Sequence, residues 1–255
     1  MSIKITVATV IWNPGPLLQR TLDSVMEQDY DNIEHVIVDG RSKDNTLILL
    51  HQYQERNSLR NVRREINMLS EPDNGLYDAM NKAISMATGD YILFLNAGDK
   101  FHSNSVVSEV AKLAESKPAV IYGNTDIVDN DGNFLYKRRL QPPPKLSWRS
   151  FRHGMLVCHQ AFFARTDLAK QNPYNLKYRF SADFDWCIRI MKQGEKLGLN
   201  MADAHIVVAD YLEEGMTTKN HRKSLFERYR IMSVHYGWWS TTCRHLYFLW
   251  RSLTK

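Results

Sequence analysis

Acidic and amide side chains recur in this chain where short apolar runs stop. Thr9 and Trp12-Asn13 follow one such run, Asp39 ends a second, Glu71 and Asp73 follow a third, and Asn96 and Asp99 follow a fourth. Oxygen ligands converging on one edge could bind a nucleotide's base and ribose and hold a divalent cation, Mn²⁺ or Mg²⁺, at its phosphates. Any one of these residues is more often a turn former or helix cap than a ligand, but four successive run ends strain that reading. Further along, Ser181-Ala182-Asp183-Phe184-Asp185 opens an amphipathic stretch, with Ser181 as cap and two carboxylates in the first turn. A helix N-terminus stabilises an ionised carboxylate by ~0.3–1 kcal/mol. Asp183 is therefore available as a general base, with Asp185 as its rival.

The elements that must position these groups read as βαβ units. Ile3 to Ile11, Glu34 to Val38, Asn67 to Ser70 and Tyr91 to Leu95 are strand-like runs, alternating with amphipathic stretches that carry Leu17, Leu18, Leu22, Val25 and Met26, then Leu47, Leu49 and Leu50, then Leu76, Met80, Ala83 and Ile84. This is the signature of a Rossmann-like, mostly parallel central sheet flanked by helices. In such a sheet ligands bind beyond the carboxyl ends of the strands, where the polar residues lie. Asn13-Pro14 is expected to cap the first helix and Ser42 the second. Val106 to Leu113 reads as a helix and Ala119 to Tyr122 as a strand; Asp129 to Asn133 is a hairpin turn, Ala204 to Tyr211 a strand, and Gly215 to His221 a loop that could close over a ligand with Lys219 or His221. The expected division is 1–216 as one α/β domain, with 1–125 as a nucleotide-binding half and 126–216 as an acceptor half, followed by a helical segment 217–255.

Composition narrows the classes. Among 255 residues, 44% are apolar and 24% charged, which suits a globular core and not a disordered chain. No apolar run approaches the ~20 residues of a membrane span. No export signal is visible in Met1-Ser2-Ile3-Lys4-Ile5, so the cytoplasm is the expected compartment. Cys158, Cys187 and Cys243 are odd in number and widely spaced, and are expected as buried thiols. Residues 1–216 carry 25 Lys+Arg against 27 Asp+Glu, whereas 217–255 carry 8 against 1 together with Trp238, Trp239 and Trp250. Basic residues interleaved with aromatics suit an anionic membrane surface, and equally a helix packing its aromatics on the domain. With no basic stripe elsewhere, nucleic acid is not an expected partner. Gly-x-Gly-x-x-Gly, Gly-Lys-Ser/Thr, His-Glu-x-x-His and Gly-x-Ser-x-Gly are all missing, which argues against the usual dinucleotide and P-loop chemistries and gives no support to a zincin or an α/β-hydrolase. Trp12, Met155 and Trp186 could stack on a sugar or base, but apolar residues beside strands more often pack in a core.

The segments Thr6-Val7-Ala8-Thr9-Val10 with Asn13, Val36 to Thr46, Ser70 to Ala83, Gly89 to Asp99, His159-Gln160 and Ser181 to Trp186, in this order, resemble the inverting family 2 glycosyltransferases of GT-A fold. The flavour is that of bacterial capsule and exopolysaccharide enzymes of the colanic-acid type, and the resemblance covers about residues 3–215. It implies transfer of a sugar from a nucleotide-sugar donor, UDP-linked by expectation, to a saccharide acceptor carried by a lipid such as undecaprenyl diphosphate. By the same resemblance Thr9, Asn13, Asp39, Glu71, Asp73 and Asn96 face the donor, Asp99 is the last carboxylate of an Asp-x-Asp metal motif, and Asp183 is the base. His159, His153 and Asp185 fall where an acceptor contact or support would lie. Asn96 stands where the first Asp is usual, and Ala182 where a Glu commonly precedes the base. These two departures keep open a non-catalytic saccharide-binding protein on the same fold.

Overall fold

A computed structural model of the protein describes residues 2–213 and 221–253. Four βα units come first: β1 (Ile5–Ile11), α1 (Leu17–Met26), β2 (Ile33–Asp39), α2 (Thr46–Ser58), β3 (Glu65–Ser70), α3 (Leu76–Met86), β4 (Tyr91–Phe94), β5 (Lys100–Phe101) and α4 (Val106–Ala114). β1, β2 and β4 are buried along their whole length, as strands covered on both faces must be. β1 pairs in parallel with β2 and β4, and β2 with β3, with Ile11 level with Asp39 and Asp39 with Ser70. This register brings the ends of β1 to β3 to one edge. Leu95 N–H donates to Ala8 O at 2.9 Å, so the turn at Asn96 to Asp99 leaves the sheet beside them.

The remainder of the sheet is mixed. β6 (Val120–Val128), β7 (Phe134–Lys137), β8 (Phe162–Arg165) and β9 (Met201–Leu212) extend it to nine strands in the order β3-β2-β1-β4-β8-β6-β9-β5, with β7 on β6. β8 runs antiparallel to β4 and β6, β9 parallel to β6, and β5 antiparallel to β9. The mostly parallel sheet expected is thus parallel throughout its β3-β2-β1-β4 half, and mixed beyond it, where β6 and β9 add one more parallel pair. The hairpin about Asp129 to Asn133 forms as expected between β6 and β7.

α5 (Thr166–Gln171), α6 (Ala182–Lys196), α7 (His221–Tyr236) and α8 (Trp238–Leu253) complete the chain. α6 lays Trp186 against Tyr174, with ring centroids 4.9 Å apart, and edge-on to Phe94. Trp186 and Met155 are therefore core residues, whereas Trp12 is 70% exposed beyond β1. The basic segment joins the same core: Ile231 and Met232 of α7 are buried in the cluster that holds β1, β4 and α6. No helix among the described residues is long and apolar enough to cross a membrane.

Two expected caps are placed otherwise. Asn13 adopts φ 46° and its Oδ1 accepts the Lys43 N–H at 2.8 Å, while α1 starts only after Pro16. Ser42 lies upstream of α2, which begins after Asn45, and gives its hydroxyl to Asp39 at 2.5 Å. Asn13 and Ser42 thus bridge the loops after β1 and β2, because Asn and Ser bond backbone in turns as readily as at helix ends. Of the three thiols only Cys187 is buried; Cys158 is half-buried, Cys243 is exposed, and none is in a disulfide.

Candidate active site

A cleft of about 350 Å³ opens at the carboxyl ends of β1 and β4, lined among others by Trp12, Tyr77, Asn96, Asp99, His159, Gln160, Arg179, Asp183 and Tyr211. Four residues picked out in the sequence, Asn96, Asp99, His159 and Asp183, meet there from three distant parts of the chain. α3 contributes Tyr77, the short turn His159–Ala161 before β8 contributes His159 and Gln160, and α6 presents Asp183 from its first turn.

Asp183 is held by two partners. The Tyr77 hydroxyl donates to its Oδ1 at 3.2 Å, and His159 Nδ1 lies 3.5 Å from its Oδ2. On the other side of the imidazole, the Asn96 amide donates to Nε2 at 3.2 Å, which leaves the ring proton on Nδ1, facing Asp183. Burial pushes the Asp183 carboxyl up. The Nδ1–H of His159, the charge of Arg228 and the Phe184 N–H outweigh it, and the group sits below the usual carboxylate range. Burial also raises the Tyr77 phenol well above its ordinary value, so it remains a donor to Asp183.

The second cluster is made of oxygens. Because the Asn96 amide nitrogen is committed to His159, its Oδ1 is buried with no hydrogen-bond partner. Asp99, 3% exposed, accepts the Leu212 N–H at 3.0 Å on Oδ1 and Gln160 Nε2 at 2.9 Å on Oδ2. Burial raises its pKa to about 6 against the lowering pull of Leu212, Gln160, His159 and Arg20. Arg20 also holds this turn through the Gly98 carbonyl. An orphaned amide oxygen and a carboxylate in one cleft fit a hard divalent cation that keeps a phosphate and waters as its other ligands. No group of three or more His, Cys, Asp or Glu among the described residues could complete such a site alone.

The remaining predicted residues stand outside the cleft lining. Thr9 is fully buried; its hydroxyl donates to Leu95 O at 2.9 Å and pairs with His35 at 3.0 Å. Strand alternation turns it into the core. Asp39 is 1% exposed and its oxygens accept from Ser42 N, Ser42 Oγ and Ser70 Oγ. Glu71 pairs with Lys82 at 2.8 Å. Asp73 accepts the Gly75 N–H at 2.8 Å and packs so closely on Gly40 that a Cβ there would collide with its carboxylate and lie 3.4 Å from the Trp12 ring. Gly40, Asp73 and Trp12 therefore form a shelf adjoining the cleft. Asp185 points the other way, accepting Arg189 Nε and His235 Nε2, each at 2.7 Å. It fastens α7 to α6, since residues two apart on a helix lie about 200° apart around its axis. His153 is exposed beside Arg244. Lys219 lies outside the described residues, as does the side chain of His221.

Tyr77, Gln160 and Arg179 complete the cleft and were not singled out by sequence reasoning. Tyr77 and Gln160 stand inside motif segments, but only the approach of α3 to α6 brings Tyr77 to Asp183, and only the packing of the turn before β8 on the turn after β4 brings Gln160 to Asp99. Arg179 carried no signal beyond its place just before the helix of Asp183.

The profile of glycosyl transferase family 2 matches residues 6–171. The chain is 33% identical over 206 residues to the "PGL/p-HBAD biosynthesis glycosyltransferase" of Mycobacterium bovis (strain BCG / Pasteur 1173P2), covering 80% of this chain and 74% of that protein. In fold it is similar to S. aureus TarS 1-349 in complex with UDP-GlcNAc, with TM-score 0.68 and 17% identity, covering 91% of this chain and 65% of that one. It spans 39% of a longer TarS chain. It is also similar to the mannosyltransferase PcManGT of Pyrobaculum calidifontis in complex with GDP-Man and Mn²⁺, with TM-score 0.64, 15% identity and coverage of 96% and 74%. At such identities the likeness is one of fold.

Proposed function

The chain belongs to glycosyl transferase family 2 with a GT-A fold, and from that premise we propose that it moves a sugar, with inversion, from a UDP-sugar donor to a saccharide acceptor in cell-surface polysaccharide biosynthesis. The observation that carries this reading is an ionised carboxylate, Asp183, held by Tyr77 and His159 in the same cleft as Asn96 and Asp99. One base suffices for inversion. Asp183 takes the proton of the acceptor hydroxyl, whose oxygen attacks the anomeric carbon from the face opposite the departing diphosphate. His159 keeps its proton on Nδ1 and fixes the carboxylate for that transfer.

Asn96 and Asp99 would hold a divalent cation, which when bound neutralises charge on the diphosphate. Arg179, exposed at the cleft, adds a permanent positive charge. The indole of Trp12 offers a face for the base, with Gly40 and Asp73 as the floor beside it. Because the Asp39 oxygens are engaged by Ser42 and Ser70, Asp39 serves this shelf by holding the turn in shape.

The test is thermal stability with UDP, GDP, CDP, dTDP and ADP, each with and without Mn²⁺ or Mg²⁺. UDP with metal is expected to raise stability by ~2.7 kcal/mol at 100 times its dissociation constant. A rise with another nucleotide reassigns the donor; no rise with any of them overturns the reading.

A lipid-linked acceptor places the enzyme at the inner face of the cytoplasmic membrane. The outward face of α7 carries Arg222, Phe226, Arg230 and Val234 at four-residue spacing, and Trp238 and Trp239 follow it. Phe226 is 60% exposed with the Arg230 guanidinium 4.8 Å from its ring centre, and Trp239 is 74% exposed. Such a face suits anionic headgroups. Substituting Phe226, Trp238 and Trp239 together by Ser is expected to lower binding to phosphatidylglycerol vesicles at least about tenfold in a sedimentation assay, the three rings being worth well over 1.4 kcal/mol. Unchanged binding would remove the membrane from this account.

A further inference from the structure

Residues 217–255 hold a single acidic side chain, Glu227, and it is turned inward. Its Oε1 accepts the N–H of Arg179 at 2.8 Å, and its Oε2 accepts those of Phe180 at 2.8 Å and Ser181 at 3.0 Å. These three consecutive donors precede α6, so no intrahelical carbonyl is within their reach. Arg179 and Phe180 line the cleft, and Asp183 follows two residues after Ser181. α7 grips the same stretch twice more, with Ser224 Oγ 2.8 Å from Ser181 Oγ and His235 donating to Asp185 at 2.7 Å. Asp183 is thus suspended between anchors on either side of it, all made by a helix that lies beyond the family match.

We propose that Glu227 is a positioning residue: through the backbone of Arg179 to Ser181 it fixes where the Asp183 carboxylate and the Arg179 side chain stand in the cleft. The inference rests on Asp183 being the base. Charge-assisted hydrogen bonds from three successive N–H groups to one carboxylate are strong and directional. α7 also has an apolar anchorage apart from them, since Ile231 and Met232 are buried. Glu227 therefore adds placement to a helix already held by its apolar face.

The test is Glu227→Gln, which keeps the shape but turns one acceptor oxygen into an N–H₂ facing an N–H, with Glu227→Ala beside it. Hydrogen exchange of the full-length chain is expected to rise in residues 179–184 while the sheet and the rest of α7 exchange as before. Turnover at saturating substrates is expected to fall about tenfold or more, since displacement of a reacting group by ~1 Å costs up to ~10²-fold, while donor KM and UDP affinity, to which Arg179 alone of this stretch would contribute, change by a smaller factor. Unchanged exchange at 179–184, unchanged turnover, or a rise in exchange spread across the whole chain would each overturn the assignment. The exchange measurement needs no donor. It still decides Glu227 if no nucleotide-sugar is turned over, an outcome that would count against the proposed function alone.

Discussion

Asp183→Asn is expected to lower turnover by about 10²–10⁴-fold, the usual contribution of a positioned general base, and to leave UDP binding intact. The substitution is nearly isosteric, and one contact survives it directly: the Tyr77 hydroxyl donates to Oδ1, which an amide oxygen can replace. What is lost is the lone pair that would take the acceptor's proton. The proton on His159 Nδ1, whose nitrogen lies 3.5 Å from Oδ2, then faces an amide N–H₂ unless the ring flips, so the pair loses its match as well. Since Asp183 sits below the usual carboxylate range, the wild type is fully ionised at neutral pH, and its activity should fall only in acid. Measurement of kcat and of UDP-induced stabilisation on the same protein separates the roles. Activity near wild type would remove Asp183 as base, and loss of both would make it a binding residue.

Asp99→Ala is expected to abolish the metal-dependent part of nucleotide stabilisation and to lower turnover by about 10²–10³-fold, the loss typical when one preorganised charge-stabilising group is removed. The pH dependence has a definite sign. Burial holds the folded carboxyl at about 6 against its usual 3.8, so the protonated form is favoured by the fold. Its contribution to stability is fully present below about pH 4 and is lost as pH rises through about 6. A shift of this size corresponds to on the order of 3 kcal/mol. Without metal, the wild type should therefore lose stability across that window, and the Ala variant should show a flatter profile. Metal-dependent UDP binding should run the opposite way, weakening as pH falls below about 6 because the proton and the cation compete for the same oxygens. Equal pH profiles with and without Asp99 would contradict the role.

Part of the site could be read directly from the chain. Asn96 and Asp99 follow a fully apolar run, and a buried parallel strand must end in polar residues at the edge where ligands bind. The same rule placed Asp39 and Asp73 at that edge, and both lie there, yet only the neighbouring loops decided what they face. Asp39 is consumed by Ser42 and Ser70, and Thr9 by His35 and Leu95. The local pattern offered both Asp183 and Asp185, since both lie in one helical turn, and only the family resemblance favoured Asp183. Packing gives the two different surroundings: α3 and the turn before β8 meet one side of α6, and α7 meets the other.

By itself, then, the sequence determined the βαβ half of the fold and the polar residues at its strand ends, because apolar periodicity and local turn chemistry act over a few residues; the family came from the resemblance of its motif segments in order. Tertiary structure alone decided the mixed half of the sheet, the meeting of Asn96, His159 and Asp183, and the turning of the basic C-terminal segment into a clasp on α6. Each of these depends on contacts between residues tens of positions apart. A local pattern shows which side chains want partners; which partners they get depends on how the layers pack.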